Sequence, residues 1–297
     1  MTIPATGRWR AWLCALLLCT LSSTLAACGG PRVEADPALW RIEDEAGRTA
    51  GWLFGTVHAL PSGVDWRREG LNRVIADAGM LVVEVRALDD TAAIAGAMAA
   101  LGRTEGLPPL SRRIPAQDRP ALAALYDRAD IEPGAFRDVE TWAAALSVSS
   151  ALSREAGNDS GAGTDRALLE AFDGRPVAGL ETAGEQLAIF DRLDEDAQLA
   201  LLRSMWEAPE DDGAMLDAWM RGDAAMLTRI LEQGLAANPD LRAALLVNRN
   251  RRWIAQIEPL LSDGRRPLIA VGAGHMGGAD GLIAMLRARG WRVVRAD

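Results

Sequence analysis

Two histidines carry most of the chemistry open to this chain. His58 ends the stretch "LFGTVH", His275 ends "IAVGAGH", and the 297 residues contain no third imidazole. Each closes a G-x-x-H motif behind an apolar run, with Gly55 and Gly272 three positions earlier. Because 29 of the 297 residues are glycine, a glycine at that offset from both histidines arises by chance roughly 1% of the time. Glycine lets a backbone turn sharply as it leaves a strand, and open α/β sheets place ligand sites beyond the carboxyl ends of their strands. Two such ends would bring His58 and His275 into one crevice. Either histidine alone could equally be satisfied by loop carbonyls, but the matched pair favours a shared site.

Two imidazoles without cysteine suit a metal completed by carboxylates, or an acid–base pair. Glu84 is the foremost carboxylate, because "LVVEV" sets it inside an apolar strand where a lone charge is costly. The alternative is a glutamate that faces solvent. Glu181 also ends a strand, but it precedes a capping box and could serve only the next helix N-terminus. Asp165, in "GAGTDRALL", has a competing role as a helix start, with Thr164 or Asp165 as the cap.

The elements that must position these residues read as follows. Residues 38–57 form two strands about the turn Asp44–Gly47, a helix runs from about Trp66 to Ala78 before Gly79, and "MLVVEV" is a buried strand. The C-terminus repeats the order: strand "PLIAV", a turn carrying His275, a short helix with Leu282, Met285 and Leu286 stopped by Gly290, and strand "WRVV". Two βαβ-like halves are implied. Between them, about 90–262, the pattern is helical. Asp118 with Pro120 starts one helix, and Thr182 with Glu185 makes a capping box for another. Only "RPVAGLE" breaks this region, as a strand leading to Glu181. Trp142, Trp206, Trp219 and Trp253 read as core residues on helix faces.

The first 27 residues stand apart. Arg8 and Arg10, an apolar stretch from Ala11 to about Leu21 and small residues up to Ala27 have the order of a secretory signal, too short for a membrane span. Leu25-Ala26-Ala27-Cys28 resembles a lipobox, so Cys28 is expected to be acylated; Gly29 follows it, not the aspartate of inner-membrane retention. Removal of Cys14 and Cys19 with the signal leaves Cys28 as the sole cysteine, so thiolate zinc sites, cysteine nucleophiles and internal disulfides are excluded. Absence of lysine excludes Schiff-base chemistry and a P-loop. The processed chain, residues 28–297, carries 30 arginines against 41 acids, a charge of −11. That balance argues against nucleic acid and against electrostatic docking to anionic lipid, so any membrane attachment is covalent.

Taken together, "LFGTVHALP", "LVVEV", "GTDRALLEAFDGRPVAGLETAGEQL", "WMRGD", "LLVNRNRRWIAQI" and "VGAGHMGGADGLIAMLRARGWRV" resemble, in order and spacing, the TraB/GumN family, the group of the TIKI proteases and the PrgY pheromone-shutdown proteins. The resemblance covers nearly the whole processed chain. It implies an α/β fold related to the erythromycin-esterase and ChaN-like group, a mixed sheet built from both ends around a large helical insertion. It also implies a divalent-metal-dependent hydrolase centred on two G-x-x-H histidines and an acid, which here are His58, His275 and Glu84. Arg249 and Asn250 match the family's "RN" helix and could orient substrate or an oxyanion; the alternative is a structural pair.

The expectation is therefore a lipid-anchored, periplasm-facing, outer-membrane metalloprotease-like protein. His58 and His275 would bind Mn, Co, Fe or Zn with Glu84 or Glu181 helping and Asp165 as a further candidate ligand, and a carboxylate off the metal would be the general base. Its partners would be a peptide or small-molecule substrate and the bilayer through Cys28. The competing expectation is a non-catalytic lipoprotein that captures a peptide, metal or haem-like ligand.

Overall fold

The computed structural model describes residues 33–88, 90–207, 213–235 and 238–296. Cys28 and the expected signal segment lie outside the described residues. Strands β1 (Leu39–Glu43) and β2 (Thr49–Thr56) pair antiparallel across a turn in which Gly47 takes φ +76°. Four more strands join them: β3 (Met80–Val85), β4 (Val177–Glu181), β5 (Pro267–Gly272) and β6 (Arg292–Arg295). The six lie in the order β6-β1-β2-β5-β3-β4. β2, β5, β3 and β4 are parallel neighbours, whereas β1 is antiparallel to both of its own. The sheet is therefore mixed, with only β1 running against the rest. β3 is buried along its whole length and β5 up to its last residue, as central parallel strands covered on both faces require.

Two crossovers fix where a ligand can bind. From β2 the chain passes through α1 (Glu69–Asp77) to β3, stepping over β5. From β5 it passes through α6 (Leu282–Arg287) to β6, stepping the other way over β2 and β1. The two βαβ-like halves are thus present, although neither joins adjacent strands. Connections of one hand travelling in opposite directions must cover opposite faces of a sheet. That is observed: α1 buries Leu71, Val74 and Ile75 in one core layer with Phe54 and Val83, while α6 buries Leu282 and Leu286 in the other with Leu53 and Val82. The direction of travel reverses between β2 and β5, so the crevice at their carboxyl ends is a topological switch point.

Four helices of the insertion complete the frame: α2 (Thr164–Ala171), α3 (Ala183–Asp191), α4 (Ala224–Leu235) and α5 (Asn248–Ser262). α2 places Leu168 in the α1 layer, and α5 places Trp253, Ile254, Ile257 and Leu261 in the α6 layer. The remaining insertion builds its own core around Leu122, Leu125, Tyr126, Val148 and Leu202. Trp142, Trp219 and Trp253 are buried as expected, and Trp206 is partly buried.

Some local expectations change. The Thr182–Glu185 capping box forms. A helix does start after Asp118 with Pro120 in its first turn, but the Asp118 side chain makes no cap bond and instead receives Arg203 at 2.6 and 2.9 Å. α1 starts at Glu69, later than Trp66, after Arg68 in extended backbone, and the Trp66 ring stacks on Phe54 at 5.8 Å between centroids. Among the described residues no helix is long and apolar enough to cross a membrane.

Candidate functional site

The register of the sheet decides the geometry. Gly55 pairs with Val271 and Thr56 with Gly272 on the parallel neighbours β2 and β5, so the two G-x-x-H segments leave the sheet side by side at the switch point. β3 and β4, with Val85 opposite Glu181, deliver Glu84 and Glu181 to the same edge. His58, Glu84, Glu181 and His275, spread over 218 residues of chain, meet at one end of the sheet.

The two motif glycines serve space, not turning. Neither has positive φ. A Cβ on Gly55 would lie 3.0 Å from Ala273 of the second motif, and one on Gly272 would lie 3.0 Å from Glu84 Oε1. The Gly272 N–H also donates to that oxygen at 2.7 Å. The expectation that these glycines release a sharp turn is thus corrected: they let the two motifs and Glu84 close on one another. Later glycines follow suit, since α4 packs Leu231 and Thr228 against Gly274 and Gly277 with no room for a side chain.

His58 stands on the rim, its side chain 70% exposed. Its Nδ1 lies 3.1 Å from Asp165 Oδ2, while Asp165 Oδ1 accepts from Thr56 Oγ1 at 2.7 Å. The α2 start clamps this loop: Val57 N–H donates to Thr164 Oγ1 and Thr164 N–H to Val57 O, both at 2.9 Å. Gly163 permits the approach, since its Cβ would sit 2.3 Å from His58 O. Neither Thr164 nor Asp165 caps the helix, whose N-cap is Gly163. The Asp165 hydrogen bond raises the His58 pKa to about 9, although water at this exposed ring screens part of the attraction.

His275 is the opposite case, its side chain 7% exposed. Nδ1 lies 2.7 Å from Asn250 Oδ1, and the ring packs on Trp253 at 4.4 Å between centroids. The Asn250 amide donates to the carbonyls of Asp280 at 2.8 Å and His275 at 3.4 Å, which orients its oxygen toward the imidazole. This network assigns the proton to Nδ1 and leaves the Nε2 lone pair facing Arg249 Nη1 at 3.3 Å. Burial pushes the His275 pKa down to about 4, with Arg249 and His58 adding to it and Glu84 opposing.

Between the histidines runs a buried charge network. Arg249 Nη2 donates to Glu84 Oε2 at 2.6 Å and to Glu181 Oε2 at 2.8 Å, and Arg252 adds a bond to Glu181 Oε1 at 3.1 Å. Gln186 of α3 donates to Glu84 Oε2 at 3.0 Å. Burial opposes ionisation of Glu84, but His275, Arg249, His58 and the Gly272 N–H together hold its carboxyl down to about 2. With His275 neutral above about 4, the guanidinium is the charge that balances Glu84 at neutral pH. Every Arg249 N–H has an acceptor, namely Glu181, Glu84, His275 or the Leu245 carbonyl. In this arrangement its N–H groups are all engaged within the protein, and Asn250 is hydrogen-bonded to His275. A π-helical turn, Ala243–Val247, immediately precedes this pair, a feature common beside functional sites.

A family model described as the TraB/PrgY/gumN family matches residues 38–295. The chain belongs to this family. No curated protein and no solved structure matches it. The match spans every residue of the crevice named above. Four contributors escaped the sequence reading: Thr56, Gln186, Arg252 and Trp253 as a ring partner. Gln186 had a signal, for it lies one residue beyond the capping-box Glu185; the other three look like ordinary strand or helix residues.

Imidazole and carboxylate are donor types that divalent ions take. Each imidazole engages an oxygen through Nδ1 and keeps Nε2 for another partner, the arrangement that orients ligand histidines, and Glu84 adds a hard oxygen. Among the described residues no group of three or more His, Cys, Asp or Glu side chains is placed to hold a metal ion. Glu84 and the Nε2 of His275 instead face Arg249, at 2.6 and 3.3 Å.

Proposed function

We propose that the switch-point crevice is the centre of a metal-dependent, peptidase-like hydrolase. The observation that supports this best is the delivery of His58 and His275 by adjacent parallel strands, each with Nδ1 tied to an oxygen and with ionised Glu84 beside them. His58 and His275 would hold a divalent ion through Nε2, with Glu84 as the oxygen ligand. Such an ion lowers the pKa of a bound water and polarises a carbonyl.

The chain's own groups do the rest. Asp165 holds the His58 ring through Nδ1. Asn250 keeps the His275 proton on Nδ1 and its lone pair on Nε2. Arg249 and Arg252 hold Glu181 in place by hydrogen bonds, and Arg249 holds Glu84. The fold reading that accompanies this is the erythromycin-esterase/ChaN/TIKI-like type, supported by the mixed sheet with its inserted helices. Acylation at Cys28 would hold the protein on the periplasmic face of the outer membrane; Cys28→Ser should then leave the membrane fraction after a carbonate wash, and continued membrane partitioning would refute the lipid anchor.

The test of the reaction is cleavage of a quenched-fluorescence peptide library by the purified protein. Activity should vanish on chelation, return with one divalent metal, and vanish again in His275→Ala. A protein that binds the peptides and never cleaves them, with each of the four metals supplied, is a capture lipoprotein instead.

A further inference from the structure

The start of β4 borders a cavity that the chemistry described above does not use. Its volume is about 940 Å³, and its walls are the outer face of α2, the chain leaving β3 at Arg86–Leu88, and the start of β4 at Pro176 and Val177. β4 is the last strand of the sheet. Leu81 N–H donates to Pro176 O, and Leu81 is in register with Val177 and Val83 with Gly179. In a parallel ladder, that alternation turns the N–H and C=O of Val177 and Gly179 away from β3. Among the described residues those groups have no partner, and exposed Gly179 sets no side chain across them.

The charge around this edge is graded. Arg86 has no ion pair or hydrogen bond among the described residues, and Arg166 donates only to the Leu88 carbonyl at 3.3 Å. Both lie beside the crevice, Arg86 two residues after Glu84 and Arg166 next to Asp165. Glu170 lies about one turn further along α2 than Arg166, and Asp173 lies beyond the end of the helix. Arg175, the third arginine of the lining, is committed to the Ile75 and Ala78 carbonyls at the end of α1.

We propose that an extended peptide adds to β4 as a further strand, with an acidic side chain or terminal carboxylate held by Arg86 and Arg166. Strand addition satisfies the outward groups of Val177 and Gly179, and the cavity takes alternate side chains. β4 ends at Glu181, inside the charge network, so the docked strand is led to the crevice. This rests on the peptidase reading above and narrows its substrates to extended segments carrying a negative group.

The test uses three fluorescein-labelled octapeptides of alternating valine and threonine: one with a glutamate, one with glutamine in its place, and the first with alternate amides N-methylated. Anisotropy is read on the full chain in EDTA. The glutamate peptide should bind at least about tenfold tighter than the glutamine one, since the difference is one charge-assisted contact, and the N-methylated peptide should lose binding. Arg86→Gln/Arg166→Gln should erase the preference for glutamate. Val177→Pro, which removes an outward N–H along with a side chain packed on the core, should weaken both peptides, with the fold verified by melting. Equal binding of glutamate and glutamine peptides, or an unchanged preference in the double variant, overturns the anion contact. Undiminished binding of the N-methylated peptide overturns strand addition, and failure of all three peptides to bind overturns both. Docking retained without metal-restored cleavage contradicts the hydrolase reading alone; cleavage retained without docking contradicts this proposal alone.

Discussion

His58 and His275 leave neighbouring parallel strands in register, yet one side chain is 70% exposed and the other 7%. On the rim, Asp165 gives His58 an anionic partner and raises its pKa to about 9. In the interior, burial beside Trp253 and Arg249 lowers His275 to about 4. One motif repeated at two strand ends thus yields a protonated and a neutral imidazole at neutral pH. An ion held by both Nε2 atoms would therefore have to displace a proton from His58 and none from His275.

The largest effect should come from the buried half. Arg249→Leu leaves Glu84 and Glu181 without their shared cation and should cost about 3–5 kcal/mol in urea unfolding. Asp165→Asn, at the buried partner of the rim histidine, keeps a hydrogen-bond acceptor for Thr56 and should cost no more than about 1–2 kcal/mol. Equal losses in the two variants would erase the distinction between rim and interior.

The pH dependence sharpens it. His275 has its folded pKa depressed, so between pH 6.5 and about 4 the unfolded chain binds the proton and the folded one does not. Stability should therefore fall as pH drops through that window, on the order of 3 kcal/mol in all. His275→Gln should flatten this limb. His58 has the opposite sign: its contribution is full below pH 6.5 and is lost as pH rises through about 9, a smaller effect because the ring is exposed. Urea titrations of wild type, His58→Gln and His275→Gln across pH 4–10 check both limbs.

The glycines give a smaller break. Gly55→Ala and Gly272→Ala place a Cβ 3.0 Å from Ala273 and from Glu84 Oε1 respectively, and should each cost about 1–3 kcal/mol by overpacking. Only Gly272→Ala should also raise the Glu84 pKa, read by carboxyl NMR, because only it disturbs the Gly272 N–H bond.

Much of this arrangement was legible in the chain. The apolar runs at 80–85 and 267–271 announce buried parallel strands, and the G-x-x-H repeats announce a shared strand end. Position within "LVVEV" singles out Glu84 because a buried charge needs compensation. What compensates it was not legible: Arg249 sits 165 residues away on a helix that reads as amphipathic. Asp165 looked like a helix cap because local rules see only the following turn, while its partners Thr56 and His58 come from another strand. The glycines looked like turn formers because backbone freedom is a local property and close approach across a sheet is not. β6 reads as a plain closing strand, and only the mixed register shows that it crosses two strands to reach the far edge.

The central claim is that two histidines from opposite ends of the chain serve one centre, and metal stoichiometry tests it most directly. Metal-stripped wild type, His58→Ala, His275→Ala and the double variant should be titrated with Mn²⁺ and Zn²⁺ by calorimetry, with folding confirmed by circular dichroism. One equivalent should bind to wild type, either single variant should lose it, and the double variant should lose no more than the singles. Full stoichiometry and unchanged affinity in both folded single variants would contradict the account.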